Sequence, residues 1–155
     1  MKTFRIGGVH PQDNKQYSAH KQITVVPLPK KAVIPLVQHI GAPAKPLVVK
    51  GDKVLVGQLI AEAGGFVSAN IHSPVSGTVT KVDTAKDAWG MSMPAIFIDV
   101  EGDEWMPEID RTATLNTVCK LSAKEIIEKV KQAGIVGLGG ACFPTHVKLM
   151  PPPGK

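Results

Sequence analysis

Apolar and polar residues alternate along the first two-thirds of the chain in short runs that turn residues separate. Val75, Gly77 and Val79 alternate with polar side chains, and Ile96, Ile98 and Val100 recur at every second position with Phe97 and Asp99 between them. Earlier apolar runs cover residues 33–37, 46–49, 54–56 and 58–60. A period of two between turn signals is typical of half-buried antiparallel strands. The pattern therefore predicts a β domain over residues 32–100.

The segments on either side of this domain have weaker patterns. Residues 1–31 contain frequent turn residues, including Gly7-Gly8 and Pro27-Leu28-Pro29, and predict an irregular segment that packs on the β domain. Residues 101–118 begin with Glu101-Gly102-Asp103-Glu104 and predict a linker. Residues 119–155 then form the last predicted unit, which contains one helix and a glycine-rich stretch.

The helix carries a start signal and a stop signal. Ser122 followed by Glu125 is the pattern of a capping box. Gly134 is placed for a left-handed residue just beyond the helix, and Ile135 could fold back on Val130 as in a Schellman motif. The apolar residues of the segment share one helical face, with Leu121 and Ile126 at the staple positions; the face comprises Ile126, Ile127, Val130 and Ala133.

A glycine-rich stretch from Gly137 to Lys148 follows this helix. Small residues allow backbone N–H groups to approach an anion closely, and Lys148 could bring a positive charge to a phosphate. The three glycines alone indicate no more than a turn. No strand precedes them and no Lys-Ser or Lys-Thr pair follows them, so neither a Rossmann motif nor a P-loop is predicted.

Composition restricts the classes of function. The chain has 155 residues, 43% of them hydrophobic, and a formal charge of +5. Its lysines are spread along the sequence, so nucleic-acid binding is not predicted. The apolar runs are too short to span a bilayer, and the N-terminus does not resemble a secretion signal. These features predict a cytoplasmic protein that would meet a membrane only as a peripheral subunit.

The β domain resembles biotinyl and lipoyl carrier domains, which have the barrel-sandwich hybrid fold. The resemblance covers residues 45–82, with a tight turn at Gly51-Asp52. Carrier domains present a modified lysine on the hairpin between the two halves of this pattern. Here that hairpin, residues 62–70, contains no lysine. Biotin or lipoyl attachment is therefore not expected, and scaffolding or docking is the role predicted for the barrel.

The glycine-rich stretch resembles the signature G-x-G-G-A-x-F-P-T-x-x-K of the NADH-binding flavoprotein subunit of respiratory complex I. In addition, residues 6–11 (Ile-Gly-Gly-Val-His-Pro), with Lys15 nearby, resemble the N-terminal opening of the C subunit of the Rnf electron transport complex. Proteins of that family also carry a barrel-sandwich segment between the two motifs. The chain is thus similar to the N-terminal part of an Rnf-type C subunit, and the resemblance covers nearly all of it.

The resemblance implies roles for particular residues. Those that would line the flavin mononucleotide are Gly137, Gly139, Gly140 and Ala141. Lys148 would meet its phosphate, and Phe143 would lie near the nicotinamide of NAD(H). No catalytic residue is implied, because the cofactor supplies the chemistry. Two positions depart from the signature: Leu138 stands where the complex I signature usually has Arg, and Cys142 replaces a residue that is commonly Gly or Ala.

Metal and cluster ligands are not predicted in this chain. The family binds two [4Fe–4S] clusters through runs of cysteines, and Cys119 and Cys142 cannot form one such set, so the clusters are expected beyond residue 155. Cys142 is interpreted as a small packed side chain. The histidines have no metal-ligand spacing and are interpreted as ordinary surface or turn residues: His10, His20, His39, His72 and His146.

The predicted fold is therefore mainly β with a small α/β C-terminal part. A barrel-sandwich hybrid is followed by a linker, one helix and a glycine-rich loop that begins a truncated nucleotide-binding domain. The resemblance implies a peripheral subunit on the cytoplasmic side of the bacterial inner membrane. It would pass electrons between NAD(H), flavin, iron–sulfur clusters and ferredoxin, coupled to ion translocation.

Two other functions compete with this one. The first is a non-catalytic docking module that contacts the other subunits of a membrane complex. The second is the A subunit of a sodium-pumping NADH:quinone reductase, whose N-terminal layout is similar. By itself the 155-residue chain is expected to be inactive and to hold no cofactor firmly, because half of the site would be missing.

Overall fold

Strands provide most of the regular structure in the computed structural model, which describes residues 12–115 and 117–150. The strands are β1 (Lys31–Pro35), β2 (Lys45–Pro46), β3 (Lys53–Val54), β4 (Leu59–Glu62), β5 (Ile71–His72), β6 (Gly77–Lys86) and β7 (Ser92–Val100). The helices are α1 (Ala123–Gln132) and α2 (Thr145–Leu149), with a short 3-10 turn at Lys15–Tyr17. The described chain is therefore mainly β, as the alternating pattern predicts.

Two antiparallel sheets form the barrel, which we define as residues 31–100. One sheet has the strand order β1-β7-β6-β3, and the other has the order β2-β4-β5. Side chains alternate as the pattern predicts: Ile96 and Ile98 of β7 are buried while Phe97 between them is not. The two sheets enclose one apolar core, formed by Ile34, Leu36, Ala44, Val48, Val54, Ile60, Ala61, Ile71, Val75, Val79, Ile96 and Ile98.

Strands β6 and β7 are longer than their apolar alternation indicates. Their pairing continues outward to Lys86 and Ser92. The connecting turn is closed by Asp87, whose Oδ1 accepts hydrogen bonds from the backbone N–H groups of Trp89 and Met91, both at 2.9 Å. Because this outer arm has little core to cover, its side chains do not follow the alternation that marks the inner strands.

The described part of the N-terminal segment is exposed. Residues 12–30 are exposed throughout, with Ile23 at 100%, and the Lys30 carbonyl accepts a hydrogen bond from the Val100 N–H of the barrel at 3.0 Å. Packing of the whole segment on the barrel stays a prediction. The motif at residues 6–11, with the rest of the first eleven residues, lies outside the described ranges.

The predicted linker 101–118 is partly attached to the barrel. The N–H of Val56 donates to the Glu104 carbonyl at 2.9 Å, and the N–H of Met106 donates back to the Val56 carbonyl at 3.0 Å. Ile109 also packs so closely on Gly57 that a Cβ there would collide with its side chain. Residues 104–109 therefore form a strap across the barrel, although most of the segment is exposed and only Met106 and Ile109 among its described residues are half-buried.

Helix α1 has the termini that the sequence predicts. Ser122 and Glu125 form a reciprocal capping box. At the other end, the N–H of Ile135 donates to the Val130 carbonyl at 3.2 Å, and Gly134 adopts a φ of +65°. This is the predicted Schellman motif. However, α1 has no buried residue, so its predicted apolar face is only partly covered by the described chain.

Candidate functional site

The glycine-rich stretch forms a loop that is closed at its base. Val136 and Pro144 form an antiparallel bridge. Gly137 N–H donates to the Phe143 carbonyl at 3.0 Å, and Thr145 N–H donates to the Ile135 carbonyl at 2.9 Å. Residues 138–143, called the glycine loop below, therefore project from a fixed base.

The backbone amides of the glycine loop have no hydrogen-bond acceptor in the described part of the chain. Within residues 12–115 and 117–150, no N–H group from Leu138 to Phe143 donates a hydrogen bond to another residue. Leu138 is 90% exposed, and residues 139–141 are exposed as well. Cys142 adopts a left-handed φ of +50°, a conformation that occurs in the concave backbone motifs known to bind anions. A run of free amides of this kind can serve as donors to an anionic ligand.

The described fold does not require glycine at positions 139 and 140. Neither adopts a left-handed φ, and a Cβ built at either position would meet no atom within 4 Å. At Gly64 and Gly77, in contrast, a Cβ would collide with a backbone carbonyl. The described residues therefore leave room for side chains at Gly139 and Gly140 and do not themselves account for glycine there.

Lys148 brings a positive charge to the base of the loop. It lies on α2, and its Nζ is 5.6 Å from the centroid of the Phe143 ring. The same Nζ is 3.2 Å from the position that a Cβ of Gly137 would occupy. No carboxylate of the described residues forms an ion pair with Lys148. Its charge is therefore available to a ligand.

The structure thus brings three of the predicted site residues into one cluster: Gly137, Phe143 and Lys148. Gly139 and Gly140 lie on the exposed part of the same loop. The carbonyl of Ala141 is occupied, because it accepts a hydrogen bond from the N–H of Ile40 on the barrel at 3.1 Å. The sequence gives no signal for Ile40, since no local pattern reports a contact between residues so distant along the chain.

Two histidines are buried, so their interpretation as surface or turn residues is wrong. His39 is 7% exposed, and its Nε2 accepts a hydrogen bond from the Ala69 N–H at 3.1 Å. His146, on α2, is 4% exposed. Burial lowers the pKa of His146, the charge of Lys131 lowers it further, and Glu128 opposes this change. Both side chains have a structural position beside the site without being part of it.

The described residues contain no group of three or more His, Cys, Asp or Glu side chains that could hold a metal ion. Cys119 is exposed, Cys142 is half-buried, and both are free thiols. Among the residues that the structure describes, no helix has the length and apolar character needed to cross a bilayer.

Comparison with known proteins gives one family. The family model of the RnfC barrel sandwich hybrid domain matches residues 2–103. The C subunit of the proton-translocating ferredoxin:NAD(+) oxidoreductase complex of Clostridium ljungdahlii is 48% identical over 100% of this chain and 33% of its own length.

Two further relatives agree with this match. The C subunit of the Rhodobacter capsulatus ion-translocating oxidoreductase complex is 44% identical over 96% of this chain and 29% of its own length. The C subunit of the Acetobacterium woodii Na(+)-translocating ferredoxin:NAD(+) oxidoreductase complex is 43% identical over 99% of this chain and 34% of its own length. The chain therefore spans about a third of the length of the curated relatives it matches.

Proposed function

Because the chain belongs to the RnfC family, we propose that it supplies the barrel and one wall of the nucleotide site of the C subunit in an ion-translocating electron transport complex. The whole protein passes electrons between NAD(H), flavin, iron–sulfur clusters and ferredoxin, and this transfer is coupled to ion movement. The names of the relatives support the ferredoxin, NAD and ion-translocation parts of this proposal.

The observation that carries the proposal is a run of amides beside a lysine, none of which has a hydrogen-bond or ion-pair partner among residues 12–115 and 117–150. The amides of residues 138–143 and the ammonium group of Lys148 form a donor set suited to a phosphate. Hydrogen bonds to a charged acceptor are about twice as strong as neutral ones, so a few such donors could hold a flavin mononucleotide phosphate. The absence of side chains at Gly139 and Gly140 leaves space for this approach.

Within this site the chain's own residues bind and orient. Gly137, Gly139, Gly140 and Ala141 line the flavin mononucleotide, and Lys148 neutralises its phosphate. Phe143, whose ring is half-buried beside Lys148, lies on the side that NAD(H) approaches. When bound, the flavin would supply the exchange between hydride transfer and single-electron transfer. No residue of this chain is assigned a catalytic role.

The remaining parts of the machinery belong to the portion of the family that this chain does not cover. Two [4Fe–4S] clusters and the carboxylates that complete the nucleotide site are expected there. We place the protein at the cytoplasmic face of the bacterial inner membrane, as a peripheral component. Its partners would be the other subunits of the complex and ferredoxin.

The proposal can be tested on the complete gene product that contains this chain. We expect the purified protein to retain flavin mononucleotide, and Gly139→Val to lower its flavin affinity about tenfold or more, because the added side chain occupies the space reserved for the ligand. Lys148→Ala should weaken binding as well, while Lys129→Ala, which removes an exposed lysine from α1, should not. Flavin content and a titration followed by flavin fluorescence provide both measurements.

A docking module is the second candidate function, and the partly uncovered apolar face of α1 favours it. If the complete protein binds no flavin in these titrations but is retained by the other subunits of the complex, the docking function replaces the nucleotide function. Flavin binding that is unaffected by both Gly139→Val and Lys148→Ala would also rule out the glycine loop as its site.

A further inference from the structure

Carrier domains present a modified lysine on the hairpin that corresponds to residues 62–70. In this chain that hairpin is held by hydrogen bonds at both of its ends. Several of its hydrogen bonds hold it to itself and to the barrel: Gly64 N–H donates to Ser68 Oγ at 2.9 Å, and Ser68 Oγ donates to the Ala42 carbonyl at 2.8 Å. Ala42 N–H in turn donates to the Val67 carbonyl at 3.0 Å. Residues 62–70 and residues 39–44 therefore form one rigid platform at this end of the barrel.

Asn70 connects this platform to the C-terminal unit, which we define as residues 121–150. Its Oδ1 accepts the Ala63 N–H at 3.0 Å and so closes the hairpin. Its Nδ2 donates to the carbonyl of Gln132 at 3.2 Å, at the last residue of α1. One side chain thus joins the hairpin to the end of the helix that leads into the glycine loop.

Gly134 fits against the same residue. Its backbone lies so close that a Cβ would collide with the carbonyl oxygen of Asn70. Glycine at position 134 therefore serves two purposes, the left-handed turn of the Schellman motif and the close contact with the barrel. The base of the glycine loop begins at the next residues, Ile135 to Gly137.

A second contact holds the tip of the loop. Ile40 N–H donates to the Ala141 carbonyl at 3.1 Å, and the carbonyl of Ile40 lies 3.2 Å from Nδ1 of the buried His39. His39 is itself joined to the hairpin through the Ala69 N–H. A cavity of about 250 Å³ lies between the barrel and the C-terminal unit, and His39, Asn70 and Gly134 are among the residues that line it. One contact at the base of the loop and one at its tip restrain the orientation of the loop more than a single contact would.

We propose that the hairpin of residues 62–70 is a positioning platform for the glycine loop, with Asn70 as the positioning residue. The inference rests on the proposed function for its ligand, the phosphate of a flavin nucleotide. The barrel then sets the geometry of a binding loop that belongs to the next unit of the chain. The part of the fold that carries a covalent cofactor in carrier domains here orients the site of a non-covalent one.

The test begins with hydrogen exchange in the 155-residue chain, which needs no flavin. Asn70→Ala removes both side-chain bonds, while Asn70→Asp keeps the acceptor for Ala63 N–H and removes the donor to Gln132. Gln58→Ala is the matched control, because Gln58 Oε1 accepts the Leu55 N–H at 3.0 Å within the barrel and does not contact the C-terminal unit. The amide of Ile40 reports the second contact directly.

We expect both Asn70 variants to accelerate amide exchange at Ile40, Gly137 and Thr145 roughly three- to tenfold. An acceleration of this size corresponds to the free energy of about one net hydrogen bond. Asn70→Asp should leave the Ala63 amide protected, and Gln58→Ala should leave Ile40 unchanged. Unchanged exchange at Ile40 in both Asn70 variants would overturn the proposal.

The second measurement is the flavin affinity of the complete gene product. Asn70→Ala should weaken it about three- to tenfold, whereas Gln58→Ala should not change it. Normal flavin affinity in a variant whose Ile40 amide exchanges faster would also refute the positioning role. If the unmodified protein binds no flavin, the proposed function fails and the positioning role fails with it, while the exchange data still decide whether Asn70 docks the loop.

Discussion

The barrel and the C-terminal unit are stabilised by different kinds of interaction. In the barrel, Ile60, Val79 and Ile96 are completely buried, and two sheets share one core. In the C-terminal unit, α1 has no buried residue, and only Pro144 and His146 are buried. The barrel is stabilised by its own apolar core. The C-terminal unit depends on helix capping, on the bridge below the glycine loop and on its contacts with the barrel.

Three glycines of the barrel differ in a similar way from the two glycines of the glycine loop. At Gly41, Gly64 and Gly77 of the barrel, a Cβ would collide with a backbone carbonyl, so the fold itself requires glycine. At Gly139 and Gly140 the fold imposes no such requirement. A residue type that the structure does not need is informative, because it directs attention to a ligand.

The largest difference between the two regions is expected on removal of a core side chain. Ile60→Ala should destabilise the barrel by about 2–5 kcal/mol, since it leaves a cavity among closely packed neighbours. Ile126→Ala, at a side chain that is 37% exposed, should cost less than about 1 kcal/mol. Urea denaturation followed by circular dichroism measures both, and similar losses in the two variants would contradict the comparison.

A smaller and local effect is expected from the helix cap. Ser122→Ala removes the hydroxyl that caps α1 and should cost about 1 kcal/mol. The loss should be confined to the C-terminal unit, so hydrogen exchange should accelerate in α1 and remain unchanged in β6 and β7. Ser18→Ala, at an exposed position outside both regions, is the control. Equal acceleration in the barrel would show that the two regions unfold as one.

The smallest expected effect is a dependence of stability on pH. Because burial lowers the pKa of native His146, the unfolded chain binds more protons than the native one between the lowered pKa and the unfolded value of about 6.5. Stability should therefore decrease as pH falls through this window. We expect the Thr145 amide to lose protection as pH falls below about 6.5, and His146→Asn to flatten this dependence. His20→Asn, at an exposed histidine, should leave the pH dependence unchanged. If the dependence persists in His146→Asn, a group other than His146 is responsible for it.

The sequence predicts those features that depend on local patterns. Alternation locates the inner strands, because each has one face on the core. Ser122, Glu125 and Gly134 define the ends of α1 because capping depends on residues only a few positions apart. The glycine loop and Lys148 are picked out by their resemblance to a flavoprotein signature that lies within one short segment.

Features that depend on distant contacts are not visible in these patterns. The strap of residues 104–109 follows a charged stretch that predicts a linker, and its pairing with Val56 has no local signal. The burial of His39 and the contact between Ile40 and Ala141 arise only when the platform and the loop meet. Asn70 is an ordinary turn residue in sequence, and its role depends on the position of Gln132.

The most direct test compares flavin mononucleotide with riboflavin, which lacks the phosphate, as ligands of the complete gene product. The account predicts that the mononucleotide binds at least about tenfold more tightly, because the loop amides and Lys148 act on the phosphate. Lys148→Ala should reduce this advantage while riboflavin binding stays the same. Equal affinity for the two flavins in the unmodified protein would contradict the claim that the glycine loop is a phosphate site.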